Sequence, residues 1–314
     1  MSTGQTGLVY SDIYLRHDPG PQNPESPERL RAIVRALEGA RLREKMIQIA
    51  PAPAEVKWVA RVHDRTHIER VREACERAPA DLDGDTAVSK DSFAVALLAA
   101  GGVLKAVDAV VAGQVHNAFC AVRPPGHHAT RNRAMGFCLF NNVAIAARYI
   151  QDRHRLERVL IVDWDAHHGN GTQDLFYDDP LVLYFSTHQF PCYPGSGAAS
   201  ERGKGAGLGF TINVPMSPGS GDTEYLRAFW EILLPAAEKF KPDFVLISAG
   251  FDAHSGDPLT NLEVSTEGFE RMTEMVKGIA ERHCGGRLVS VLEGGYNLEY
   301  LGESAVAHVR EMMQ

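Results

Sequence analysis

Residues 159–170 read Val-Leu-Ile-Val-Asp-Trp-Asp-Ala-His-His-Gly-Asn, an apolar run followed at once by acids and histidines. The run Val159–Val162 has the continuous β-branched character of a strand buried on both faces. In an open parallel sheet the carboxyl ends of the strands converge on the ligand crevice, so the polar residues that follow are placed for chemistry. Comparable runs recur at Gly7–Tyr10, Ala118–Val122, Leu181–Phe185, Phe210–Val214, Phe244–Ile247 and Leu288–Leu292. Between them, Ser92–Val111, Asn142–Arg153, Thr223–Phe240 and Thr266–Arg282 repeat apolar residues at helical spacing. The alternation predicts an α/β protein with a mostly parallel central sheet flanked by helices. A further helix is predicted from Ser26, with the serine as cap, Pro27 at the first helical position and Glu28 favouring the positive helix end. His17–Pro27, rich in proline, and Gly195–Gly209, rich in glycine, are expected to be loops.

With 314 residues, 44% hydrophobic and 23% charged, the chain can bury one large core, so residues 1–314 are expected to form a single domain or two intimately packed halves. The longest uncharged apolar stretch, Phe93–Leu104, is too short to cross a bilayer, and no membrane partner is expected. The N-terminus lacks a basic segment followed by an apolar run and cleavage site, so an intracellular, cytoplasmic protein is expected. Cys75, Cys120, Cys138, Cys192 and Cys284 are scattered and never form a Cys-x-x-Cys pair, which argues against a disulfide framework or a thiolate zinc knuckle. A net charge of −8 without a basic cluster excludes the concentrated lysine and arginine that nucleic acid requires. Oligomeric state, monomer or homo-oligomer, is left open by composition.

In extended backbone Asp163, Asp165 and His167 point to one face, so Asp165 and His167 can grip one ion. Asp252, in Ser248-Ala-Gly-Phe-Asp252 after another apolar run, offers a third ligand. Three protein ligands leave a position open for water or substrate, as a catalytic zinc needs. Asp252 alone could equally cap a helix. Two acids and two histidines within six residues are harder to explain by packing, since each would need its own compensating partner. After Ala118–Val122 comes Arg123-Pro-Pro-Gly-His-His128, where prolines and a glycine make a rigid turn able to aim His127 and His128 into a cleft.

These segments, together with Gly136-Phe-Cys138, Asn141-Asn142 and Glu293-Gly-Gly-Tyr296, resemble in order and separation the histone deacetylase-like amidohydrolases over nearly the whole chain. Trp164 and Asn170 resemble the class II branch and its bacterial relatives. The resemblance implies an arginase/deacetylase fold and one zinc on Asp165, His167 and Asp252. It makes His128 the general base and acid, His127 with Asp163 an electrostatic partner, and Tyr296 the oxyanion donor. Asn170, where many relatives carry aspartate, would orient His128. Gly136, Phe137 and Tyr193 would line a tunnel for the acetyl-lysine stem, with Leu259 at its mouth. Family members also bind potassium, which here would use Asp163, Asp165, His167, Ser186 and Thr187 at one site, and Phe176, Asp179, Val182 and Phe210 at another.

The implied partner is an acetylated lysine peptide or a small acetylated amine. Oxygen and imidazole ligands suit ferrous iron as well as zinc. Three alternatives stand beside this reading. A dinuclear manganese hydrolase of the same fold would need carboxylates where Gly169 and His254 stand. An acetylpolyamine amidohydrolase can carry an acid where Leu259 stands. A zinc-containing binding module without turnover would not need Tyr296 and both histidines.

Overall fold

The computed structural model describes residues 5–314; residues 1–4, where the expected single domain begins, lie outside the described residues. The strands are β1 Thr6–Val9, β2 Ile47–Ile49, β3 Ala80–Asp81, β4 Ala87–Val88, β5 Asn117–Cys120, β6 Val159–Asp163, β7 Val182–Gln189, β8 Thr211–Met216, β9 Phe244–Ala249 and β10 Leu288–Leu292. The helices are α1 Glu28–Gly39, α2 Val56–Val59, α3 Arg65–Glu76, α4 Ser92–Val111, α5 Asn142–His154, α6 Asn170–Phe176, α7 Asp222–Ala228, α8 Leu234–Phe240, α9 Thr266–Cys284 and α10 Leu298–Met312. Eight strands form one sheet in the order β2-β1-β5-β10-β9-β6-β7-β8, every pairing parallel. β3 and β4 make a separate antiparallel pair.

Helices α4 and α5 cover one face of the sheet, and α1, α9 and α10, with α7 and α8 packed on α9, cover the other. The central strands are therefore buried on both sides, which is why β5, β6, β9 and β10 contain no exposed position.

Several expectations are corrected. The first helix begins at Glu28, with Pro27 as its N-cap and no side-chain cap; Ser26 contributes its carbonyl oxygen, which accepts from the Arg29 N–H. The strand expected at Leu181–Phe185 begins at Val182 and runs on to Gln189, so Ser186–His188 lie within it. The segment 223–240 is not a uniform helix: a π turn, Phe229–Leu233, joins α7 to α8. Pro235, in the first turn of α8, lacks the N–H an uninterrupted α-helix would use, and the wider turn accommodates it. Helix α4, 20 residues long, contains Phe93–Leu104 and, with Lys105 and Asp108 included, is by length and composition long and apolar enough to cross a membrane. Of its 18-residue apolar window 72% is buried, and the helix packs on the sheet and α5, which accounts for its composition by core packing.

Candidate active site

Four neighbouring strands, β5, β10, β9 and β6, end side by side, and the segments leaving them meet. The loop after β6 turns because Asp165 Oδ1 accepts the His167 N–H at 2.9 Å, so these two side chains converge through a turn rather than through extended backbone. Asp252, beyond β9, has one carboxylate oxygen fixed by the Ala166 N–H at 2.8 Å. Asp165 has its second oxygen fixed by the Gly294 N–H at 2.7 Å. His167 Nδ1 lies 3.0 Å from the remaining oxygen of Asp252 and 3.3 Å from Asp165 Oδ1, the oxygen that also accepts the His167 N–H. One ligand atom from each of Asp165, His167 and Asp252 lies within 4.8 Å of the others.

Asp163, the other acid of the predicted face, points elsewhere. It accepts from the Tyr184 hydroxyl at 3.0 Å and pairs with His127 Nδ1 at 3.1 Å.

The donor set fits a divalent cation. Both carboxylates are buried, and without a cation burial and the charge of Asp165 push Asp252 up to about 7. Buried like charges at this spacing call for a shared counter-ion, and an oxygen-oxygen-imidazole set suits zinc or ferrous iron. Gly294 closes the floor: a Cβ there would stand 2.3 Å from Asp252 Oδ2 and 2.6 Å from Asp165 Oδ2.

Beside this cluster the rings of His127 and His128 lie 4.0 Å apart. Burial alone would lower the basicity of His127, but Asp165 and Asp163 outweigh it and hold the imidazole at about 10. His128 is driven the other way, well below its ordinary value, by burial and by the charge on His127. The two imidazoles are thus pushed in opposite directions. His128 Nδ1 meets Asn170 Oδ1 at 2.9 Å. Tyr296 follows β10 and is anchored by its N–H to Asp257 Oδ2 at 2.7 Å. Burial raises its hydroxyl well above the ordinary range, which keeps it a proton donor.

Tyr193 stands edge-on to His128 at 5.2 Å, and Phe137 edge-on to Tyr296 at 5.9 Å, so the two aromatics flank different members of the cluster. Gly136 lies between Met135 and Phe137 with a positive φ of 56°. Leu259 is partly exposed, and its N–H bonds the same Asp257 that anchors Tyr296. Ser186 pairs in register with Asp163, and Thr187 beside it carries a buried hydroxyl with no partner among the described residues. Phe176, Asp179, Val182 and Phe210 gather around the α6–β7 turn. There the Phe176 and Phe210 carbonyls accept from Asp179 and Tyr184, and Asp179 pairs with Arg148 at 2.5 Å.

Sequence reasoning missed several residues. Glu293, quoted only as part of a motif, is buried and accepts the Gly126 N–H at 2.7 Å and the His127 N–H at 3.2 Å, so β10 holds the histidine turn. Arg29 donates to the carbonyls of Gly295 and Glu293, with its guanidinium 5.0 Å from the Tyr296 ring centroid. Asp85 and Thr86, in the turn between β3 and β4, accept the N–H groups of Gly136 and Phe137. No local pattern marks these residues, because each acts on a partner at least 51 positions away.

A parallel α/β sheet with this cluster at its carboxyl edge defines a hydrolase acting on amide bonds. The histone deacetylase domain model matches residues 23–312, and the chain belongs to the histone deacetylase family. A probable deacetylase of Archaeoglobus fulgidus is 43% identical over 296 residues, covering 94% of this chain and 82% of its own. A histone deacetylase-like amidohydrolase of Pseudomonas aeruginosa is 38% identical over 328 residues, covering 99% of this chain and 86% of its own. The crystal structure of the HDA15 HD domain matches with a TM-score of 0.95 at 40% identity, over 99% of this chain and 89% of that one.

Proposed function

We propose that the protein is a zinc-dependent deacetylase that hydrolyses the acetamide of an acetylated lysine, or of a related acetylated amine, to the free amine and acetate. The observation that carries this reading is the convergence of ligand atoms from Asp165, His167 and Asp252 within 4.8 Å beside the His127–His128 pair. A zinc held by those three residues supplies Lewis-acid polarisation of the acetyl carbonyl and a more acidic attacking water.

The chain's own groups carry the remaining work. His128, neutral and tied through Nδ1 to Asn170, presents Nε2 to take the proton of the attacking water. Water adds to the carbonyl carbon, the C–N bond breaks, and the same imidazole returns the proton to the departing amine. His127, paired with Asp163, contributes positive charge. Tyr296 donates its hydroxyl to the oxygen on which negative charge develops. Phe137 and Tyr193 offer apolar walls for an alkyl stem, and Leu259 offers no charge for a second ammonium, which favours lysine over a polyamine. Potassium at the two sets of residues, each of which includes part of β7, belongs to the same reading; the unpartnered Thr187 hydroxyl supports the first set.

The test is acetate release by the purified protein from acetyl-lysine peptides and from acetylputrescine, with elemental analysis of the same sample. One zinc per chain and turnover of the peptide are expected. Two ions per chain, or no acetate from either substrate, overturns the proposal.

A further inference from the structure

Asn170 meets two partners. Its carbonyl oxygen Oδ1 lies 2.9 Å from His128 Nδ1, and its amide nitrogen Nδ2 donates to Met135 Sδ at 3.4 Å. The two ends of a carboxamide have nearly the same shape but opposite roles. With the carbonyl toward His128, Nδ1 carries the proton and Nε2 keeps its lone pair. With the NH2 toward His128, Nδ1 must accept and the proton moves to Nε2, where the ring can take no proton from water. Each arrangement satisfies the bond between the two side chains equally well, so that bond alone does not choose. An aspartate in this place would have no such ambiguity, because both its oxygens only accept.

Met135 breaks the degeneracy. A thioether sulfur accepts weakly and cannot donate, so it is satisfied only when the NH2 faces it. The backbone that carries this side chain is fixed, since Met135 and Cys138 exchange N–H···O bonds of 3.2 and 3.0 Å across the turn that carries Gly136 and Phe137. We propose that Met135 is a positioning residue: its sulfur orients the Asn170 amide and thereby selects the His128 tautomer whose Nε2 is free to act as base. The proposal rests on the reading of His128 as the general base.

The test is a double-mutant cycle with Met135→Leu, Asn170→Asp and both together, each metal-loaded and checked for an unchanged melting temperature. Leucine keeps the bulk and the backbone bonds but removes the acceptor. In the Asn170 background, Met135→Leu is expected to lower kcat about three- to ten-fold with KM held, the range of one lost hydrogen-bond preference. In the Asn170→Asp background the same substitution is expected to change kcat less than about two-fold, because orientation no longer matters. Equal losses in both backgrounds, or none in the first, overturn the proposal. A readout independent of turnover is the 15N correlation spectrum of the His128 ring. The proton is expected on Nδ1 in the wild type, with a mixture of tautomers in Met135→Leu. An Nε2-protonated wild type, or a Met135→Leu ring still protonated wholly on Nδ1, overturns the proposal. If no substrate is turned over but the spectra follow expectation, the deacetylase reading fails and the orienting role of Met135 stands.

Discussion

A Cβ on Gly136 would lie 2.3 Å from Cδ2 of His128. The residue also sits at φ +56°, where a side chain costs about 1–2 kcal/mol. Gly136→Ala is therefore expected to lower kcat about 10- to 100-fold by displacing the imidazole, with a modest drop in melting temperature. Steady-state kinetics and a thermal melt check this, and a variant with wild-type kcat would show that the His128 ring is not confined by the glycine.

Tyr296 is anchored through its backbone N–H to Asp257, and under the proposed mechanism its hydroxyl is the oxyanion donor. Tyr296→Phe removes the donor without disturbing the anchor, so kcat is expected to fall about 100- to 1,000-fold. KM and the melting temperature should hardly move. A loss of less than about five-fold would rule out the oxyanion role, since a single preorganised donor is worth far more than that.

Arg123 and Glu25 form a fully buried ion pair, and the guanidinium also donates to the carbonyls of Tyr14 and His17 at 3.1 Å each. Arg123 holds Glu25 well below the ordinary carboxylate range, against burial that would raise it. Arg123→Met leaves the carboxylate buried without this partner and is expected to destabilise the fold by about 3–5 kcal/mol. Denaturant unfolding measures it; a cost under about 1 kcal/mol would mean that Arg29 and His17 compensate.

His308 is buried between Thr273 and Ser290, bonded to their hydroxyls at 2.7 and 2.8 Å, and packed against Phe119, Trp164 and Phe251. Burial lowers its pKa from 6.5 to about 3. The unfolded chain therefore takes the proton first as pH falls. This contribution to stability is complete above 6.5 and is lost progressively toward 3. At pH 5 the loss is about 2 kcal/mol relative to neutral pH. His308→Gln keeps hydrogen-bonding capacity without a titrating ring, so its stability should fall less steeply between pH 7 and pH 5. Parallel slopes for variant and wild type in denaturant titrations would show that His308 is not what acid acts on.

Much of the architecture was legible because the buried strands are continuous apolar runs. Val159–Val162, Phe244–Ile247 and Leu288–Leu292 all appear as strands at or within two residues of the expected bounds. Helix α4 was bounded correctly at Ser92–Val111 for the same reason. The three-residue edge strand β2 went unread because Ile47-Gln48-Ile49 is too short and too exposed to carry a pattern. Helix α6, beginning at Asn170, was hidden inside the polar motif. Of the candidate site, the three ligand-type residues and the histidine pair could be picked out by chemistry. Glu293, Arg29 and Asp85 could not, since their roles consist of reaching backbone amides or carbonyls far away in the chain.

The residue order alone determined which groups could do chemistry and that they follow strands, because strand propensity and ligand character are local properties of a few neighbouring side chains. Only the folded chain decided that Asp163 leaves the face it was expected to share with Asp165 and His167, taking the Tyr184 hydroxyl as well as His127, and that Asp165 and His167 converge through a turn. It also decided that Asn170 shows its oxygen to His128 with Met135 behind it. Those pairings depend on angles and on separations of a few ångströms between segments distant in the chain, set by how the strands line up in the sheet.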